Sequence, residues 1–145
     1  MDGHAAFTGH YKLLRQTSKT SFYAEVFVTV TPHPELAVGV SETAFAWLKD
    51  VYGPDAWEWS ICDAYRSAAR LAAKFAITHL AQTNGPFHVS VDVIRARPAD
   101  TMPDSVALAV CKAIWAALDD PGTVQVHIEE SAILFDGKSF TDAVS

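Results

Sequence analysis

The sequence predicts an α+β domain in two layers: a mixed, mainly antiparallel sheet of four to five strands with two long alanine-rich helices on one face. Three observations support this. Early and late segments alternate apolar with polar residues, as strands with one buried face do. Two alanine-rich segments repeat apolar residues at helical spacings. The length of 145 residues suits a single domain, 1–145, with 1–6 and 139–145 expected to be loosely ordered.

The first third of the chain predicts a pair of antiparallel strands. Residues 7–16 and 22–31 are strand-like and are joined by a polar turn. In the second strand the core face is expected to carry Ala24, Val26, Val28 and Val30, and the opposite face Tyr23, Glu25, Phe27 and Thr29. Prolines at 32 and 34 end this strand. A short edge strand at 36–40 and a short helix that ends at Gly53 should follow.

The remaining elements follow from helical spacing and alternation. The first long helix is predicted over 55–82, before a turn at Asn84-Gly85-Pro86. Its expected apolar stripe is Trp57, Ile61, Ala64, Ala68, Leu71 and Phe75. A strand over 87–97 should turn Val89, Val91 and Val93 toward the helices. The second helix is predicted over 103–118 and a final strand over 124–135.

Composition narrows the possible classes of protein. A net charge of −6 argues against nonspecific nucleic-acid binding. No apolar segment approaches the roughly 20 residues of a membrane span, and the start does not resemble a signal peptide, so we expect a cytoplasmic protein. Cys62 and Cys111 are expected to be small buried residues. Charged residues are only 19 %, which indicates either a well-filled core or an apolar surface in a homo-oligomer or protein complex.

Part of the chain, from about Tyr23 to Leu118, resembles the fourth domain of elongation factor G. The resemblance rests on the strand Val89-Ser90-Val91-Asp92-Val93, the acidic turn Asp100-Thr101 and the helix with alanines at 109, 113 and 117. It implies the fold group named after the second domain of a small-subunit ribosomal protein, and it implies contact with RNA. The phosphate-binding loop of the factor's GTP-binding domain, and that of the kinases in this fold group, find no match here.

The polar face of the predicted sheet is the main candidate binding face. It carries Glu25, Phe27, His88, Ser90, Asp92, Gln125, His127 and Glu129. If the two late strands are adjacent, two histidines and several carboxylates share this surface, so a metal or acid–base site is one reading. A protein or ligand interface and a plain solvated surface are the others, because polar alternation is normal for a half-exposed sheet. We assign no metal site, cofactor or catalytic residue.

Two further features are candidates for contact with a partner. Arg66, Arg70 and Lys74 recur every four residues and form a basic stripe on the first long helix. This stripe is either a solvated face or a site for a phosphate backbone or acidic partner. Trp57 and Trp59 should point to different sides of the helix, one into the core and one outward, where it could anchor a partner.

Taken together, these features favour a non-enzymatic binding or assembly module that uses the open sheet face. The first alternative is a small enzyme or metal- or ligand-binding protein that uses His88, Asp92, His127 and Glu129. The second alternative is an RNA-contacting domain. No nucleophile elbow, zinc-protease helix or cysteine–histidine signature is found in the sequence.

Overall fold

The computed structural model describes residues 5–56, 59–83 and 85–144. Over these residues it confirms the α+β class. They form a four-stranded mixed sheet, a two-stranded sheet and four helices, two of them long. The predictions for Trp57 and Asn84 lie outside the described residues. The elements are β1 (Phe7–Gln16), β2 (Ser21–Pro32), β3 (Ala37–Val40), α1 (Trp47–Tyr52), α2 (Ser60–Thr78), β4 (Phe87–Arg95), α3 (Pro103–Ala117), β5 (Val126–Glu129), β6 (Ala132–Phe135) and α4 (Phe140–Ala143). Within the described ranges, no helix has the length and apolar character needed to cross a bilayer.

The larger sheet has the strand order β1-β2-β4-β3. β1 pairs antiparallel with β2, and β2 with β4, whereas β3 runs parallel to β4. The valines of β2 and β4 that point to the helical layer are fully buried: Val26, Val28, Val30, Val89 and Val91. α3 packs on β1 and β2, and α2 packs beside α3 and against β3. Both long helices therefore cover the same face of the sheet.

Small residues let β1 and α3 approach closely. Gly9 lies in β1 opposite Val28, and a Cβ atom built on it would overlap the carbonyl oxygen of Ala113 and lie 2.9 Å from the Cβ of Ala117. Nearly every residue from Ser105 to Trp115 is buried. This helix therefore has neighbours on several sides, and its backbone comes close to the sheet only because Gly9 has no side chain.

The first long helix is shorter than predicted, and its buried face is rotated. It spans Ser60–Thr78 rather than 55–82, and its buried residues are Cys62, Tyr65, Ala68, Ala69, Ala72, Ala73, Phe75 and Ala76. Leu71 was expected in the apolar stripe but is 48 % exposed. The helix turns its small residues toward α3, because close contact between the two helices requires short side chains there. Both cysteines are buried as predicted.

The predicted final strand is a hairpin. Glu130 has a positive φ of 48°, so the chain reverses there and β5 pairs antiparallel with β6. The hairpin forms its own sheet and does not join β4. It packs through β6 on α3 and α4, where the rings of Phe135 and Phe140 are 5.0 Å apart. The segment expected to be a loose tail thus contains α4, whose Phe140 is buried.

A bulge in β4 changes which residues face the core. Phe27 pairs with Val93 and Val28 pairs with Val91, so Asp92 has no partner opposite it. Beyond this extra residue the alternation inverts. Ile94 is therefore fully buried, and Val93, which was predicted to face the helices, pairs with Phe27 on the other side of the sheet.

The carboxylate of Asp120 ties together the chain segments that follow the two long helices. It accepts hydrogen bonds from the backbone N–H groups of Ala81 (2.8 Å), Gln82 (2.7 Å), Thr83 (2.8 Å) and Gly122 (2.9 Å). Burial alone would raise the pKa of this carboxyl, but the four N–H donors outweigh that effect and hold the pKa well below its usual range. The charged form of Asp120 therefore stabilises the fold.

We predict that Gly9→Ala destabilises the fold by about 3 kcal/mol or more, since the new methyl group overlaps the α3 backbone. Gly39→Ala is the matched control in the same sheet, because a Cβ there meets no atom within 4 Å. Urea unfolding followed by circular dichroism measures both free energies of unfolding. Equal stability of the two variants would contradict the close approach of β1 and α3.

We predict that Asp120→Asn lowers the free energy of unfolding at pH 7 by about 2 to 3 kcal/mol, because an amide cannot accept all four N–H groups. The contribution of Asp120 is complete above the unfolded-state pKa of about 4 and is lost as the pH falls toward its lower folded-state pKa. Urea unfolding from pH 7 down to pH 2 should therefore show wild type and variant converging below about pH 4. Asp119→Asn, at the exposed neighbouring position, is the control and should behave like wild type.

Candidate functional site

The outer face is the side of the four-stranded sheet that is turned away from α2 and α3. Because β2 and β4 are neighbours, the structure brings together five predicted residues there: Glu25, Phe27, His88, Ser90 and Asp92. All five are partly exposed. These five residues of the predicted binding face therefore share one surface across the two strands.

Asp92 forms the polar centre of the outer face. Its carboxylate accepts hydrogen bonds from the hydroxyls of Thr29 (2.6 Å) and Ser90 (2.7 Å). The bulge leaves Asp92 without an opposite residue, so its side chain reaches the hydroxyls of both strands. The carboxylate is held in one orientation by these two donors.

Aromatic rings form the part of the outer face nearest β1. The imidazole of His10 stacks on Phe27 with ring centroids 4.3 Å apart, and its Nε2 lies 2.7 Å from the Glu25 carboxylate. The Glu25 side chain is only 15 % exposed. Sequence reasoning missed His10, although the strand register, counted outward from the turn at 17–20, places it opposite Phe27.

A buried tyrosine at the end of β2 extends this aromatic region. The Arg97 guanidinium lies over the Tyr23 ring at 4.2 Å, and the Thr101 hydroxyl donates to the Tyr23 carbonyl at 2.6 Å. Burial, and next the negative charge of Glu25, raise the pKa of Tyr23. The hydroxyl therefore stays protonated at neutral pH, and the ring lies buried beneath Arg97.

The three remaining residues of the predicted binding face do not lie on the four-stranded sheet. Gln125, His127 and Glu129 belong to the separate β5–β6 sheet or directly precede it, and His127 and Glu129 bond each other at 3.2 Å with both side chains well exposed. The four residues of the enzyme alternative are thus split between two sheets. Among residues 5–56, 59–83 and 85–144, no group of three or more His, Cys, Asp or Glu side chains is placed to hold a metal ion.

The two cysteines do not provide a nucleophile at neutral pH. Burial raises the pKa of the Cys62 thiol and of the Cys111 thiol. The Sγ atom of Cys111 lies 3.6 Å from the carbonyl oxygen of Ala72, inside the contact between the two long helices. A nucleophilic cysteine is normally an exposed thiolate, so both residues have a packing role.

A second feature, which we call the basic cleft, lies between β3, α1 and α2. It has a volume of about 620 Å³ and is lined by Val40, Glu42, Thr43, Ala46, Lys49, Arg66 and Arg70. Two of the three predicted basic-stripe residues therefore line one cleft, together with Lys49 from α1. Lys74 lines a different, more apolar depression with Leu71 and Val144. Spacing along the chain does not reveal that Lys49 of α1 lines the same cleft as two residues of α2.

The outward-facing tryptophan is identified among the described residues. Trp59 is 40 % exposed and lies 5.5 Å from the ring of Tyr52, which is 49 % exposed. Trp115, in contrast, is buried, and its Nε1 donates to the Ala76 carbonyl at 3.0 Å. Trp59 is thus the peripheral residue that the sequence suggested, and Trp115 joins the two long helices.

Comparison with known proteins identifies the fold. The chain is similar to the crystal structure of ttk003000868 from Thermus thermophilus, with a TM-score of 0.54 and 16 % sequence identity. The similarity covers 74 % of this chain and 15 % of that chain, so it concerns a small part of the other protein. No protein-family model and no curated protein matches the sequence. At this identity the likeness shows the fold alone.

Proposed function

We propose that the chain is a non-enzymatic assembly module that associates with a second copy of itself through the outer face. The observation that carries this proposal is the apolar and aromatic centre of an exposed sheet surface, where Phe27, Val93 and the His10 ring lie together. Aromatic residues are enriched at protein interfaces, where they bury a large area with few rotatable bonds.

The polar side chains of the outer face support binding because they are already held in place. Glu25 is fixed by His10 and lies 3.5 Å from the Tyr23 hydroxyl, and Asp92 is fixed by two hydroxyl donors. A partner that covers these groups would therefore lose little entropy in ordering them.

The charges on this face suit a second copy. The register places Lys12 opposite Glu25 on one side and Arg95 opposite Glu25 on the other, so a positive, a negative and a positive side chain form one row. A surface with both signs can match itself across a two-fold axis, where each residue meets a different residue of the copy. A face of a single sign would repel its copy instead.

The outer face is large enough for a weak dimer. Three strands of nine to twelve residues and one of four, about 4.8 Å apart, cover roughly 550 Å² in projection. Protruding side chains make the accessible area of this face larger than its projected area. For comparison, a standard interface buries roughly 800 Å² per partner. An area of this size suits reversible rather than permanent association.

Three properties of the protein stay predictions from the sequence: its relation to the fourth domain of elongation factor G, its cytoplasmic location and a protein as its partner. The enzyme alternative receives less support, because His88 and Asp92 lie on one sheet and His127 and Glu129 on another.

We predict that sedimentation equilibrium detects a dimer as the protein concentration rises to about 100 μM. Phe27→Ala should weaken dimerisation at least about tenfold, because it removes the central ring of the interface. Val93→Glu, on the neighbouring strand, should do the same by placing a charge in that centre. The thermal midpoint of each variant is measured in parallel to confirm that it folds.

Leu71→Ala is the matched control, since it removes an exposed apolar side chain from the helical layer. This variant should dimerise like wild type. A strict monomer at all concentrations, or a dimer that Leu71→Ala weakens and Phe27→Ala does not, would contradict association through the outer face.

A further inference from the structure

We propose that the basic cleft is a second binding site, for a small molecule that carries at least two phosphate groups and is about the size of a nucleotide. This inference does not depend on association through the outer face. It rests on the charge, the orientation of the arginines and the volume of the cleft.

The first argument is the sign of the charge. The lining includes three cationic side chains, Lys49, Arg66 and Arg70, and one carboxylate, that of Glu42. The whole chain has a net charge of −6 and only 11 Lys and Arg residues. Three of these cations line one cleft, and a multivalent anion is attracted to such a concentration of positive charge even though Asp63 pairs with Arg66.

The second argument is that the two arginines are already placed to bind an anion. The Arg66 guanidinium is held by Asp63 at 3.1 Å and lies over the Phe45 ring at 4.9 Å, and its side chain is 19 % exposed. It is therefore a fixed donor group that loses little freedom on binding. Arg70, one turn further along α2, is exposed and makes no ion pair among the described residues. Its guanidinium is available for bidentate contact with a phosphate.

The third argument is size. A volume of about 620 Å³ lies within the roughly 300 to 1,000 Å³ of small-molecule sites and far exceeds that of one phosphate ion. Val40 and Ala46 add an apolar wall to the cationic one. A ligand with a charged end and an uncharged ring or sugar would therefore fill the cleft better than an inorganic anion.

The extent of the positive surface favours a small ligand over a nucleic-acid strand. A strand bound through its backbone needs a track of cations that continues beyond one pocket. Lys74, the next residue of the stripe, lines a different depression beside Leu71, Phe75 and His79. Beyond the cleft the stripe continues on α2 by Lys74 alone, which is too short a track to hold a strand.

We predict that isothermal titration calorimetry with ATP, in the absence of divalent cations, detects one site per chain. Arg70→Gln and Arg66→Gln should each raise the dissociation constant at least about tenfold, because each removes a charge-assisted contact with phosphate. Lys74→Gln is the matched control: it removes the same charge from the same stripe outside the cleft and should change the constant less than about twofold. Raising the salt from about 50 to about 200 mM should weaken binding to the wild type.

Four results would overturn the inference. The first is the absence of binding to ATP at millimolar concentration. The second is equal weakening by Lys74→Gln and Arg70→Gln, which indicates diffuse attraction only. The third is pyrophosphate binding as tightly as ATP, which indicates a site for an inorganic anion. The fourth is a ten-nucleotide oligouridylate that binds more tightly than ATP and depends on Lys74, which indicates an RNA surface.

Phe27→Ala should leave ATP binding unchanged, so this test is separate from that of dimerisation.

Discussion

The fold depends on the close packing of α3, which lies between the sheet, α2 and the β5–β6 hairpin. Small residues make this packing possible: Gly9 in β1 on one side, and alanines in both long helices on the other. Such a helix must satisfy its few polar groups internally. The indole N–H of Trp115 and the hydroxyl of Ser105 have partners within the protein. Since the core side is fully engaged, the chemistry available for recognition lies on the outer face and on the solvent side of α2.

These two surfaces differ in their physical character. The outer face is broad and shallow, and its carboxylates are hydrogen-bonded to neighbouring side chains. Such a surface can contact a partner over a broad area without reordering these carboxylates. The basic cleft is concave, and its Arg70 side chain makes no ion pair with a described residue. Because one surface lies on β2 and β4 and the other lies between β3, α1 and α2, one can be occupied without displacing a ligand from the other.

Local patterns in the sequence were sufficient to predict the parts of the fold that depend on neighbouring residues. The strand alternation in β2 and β4 and the helical spacing in α3 gave elements close to those observed. The hairpin turn at Glu130 was missed because Glu130, whose φ is positive, is not the Gly, Asn or Asp that usually occupies such a position. The buried face of α2 was misplaced because alanine contrasts weakly with its neighbours, so Leu71 dominated the pattern. The basic cleft was predicted only in part, because spacing along the chain does not show that Lys49 of α1 lines the same cleft as Arg66 and Arg70.

The bulge at Asp92 lets β4 carry one more residue than the strand beside it without changing which residues beyond it pair with β2. Each side chain after the bulge faces the layer opposite to the one that strict alternation would assign to it. A relative that lacked Asp92 would alternate regularly and would still place Val93 opposite Phe27 and Ile94 in the core. It would lose only the carboxylate at the centre of the outer face. Deletion of this one residue is therefore a change that could alter the chemistry of the outer face and leave the core as it is.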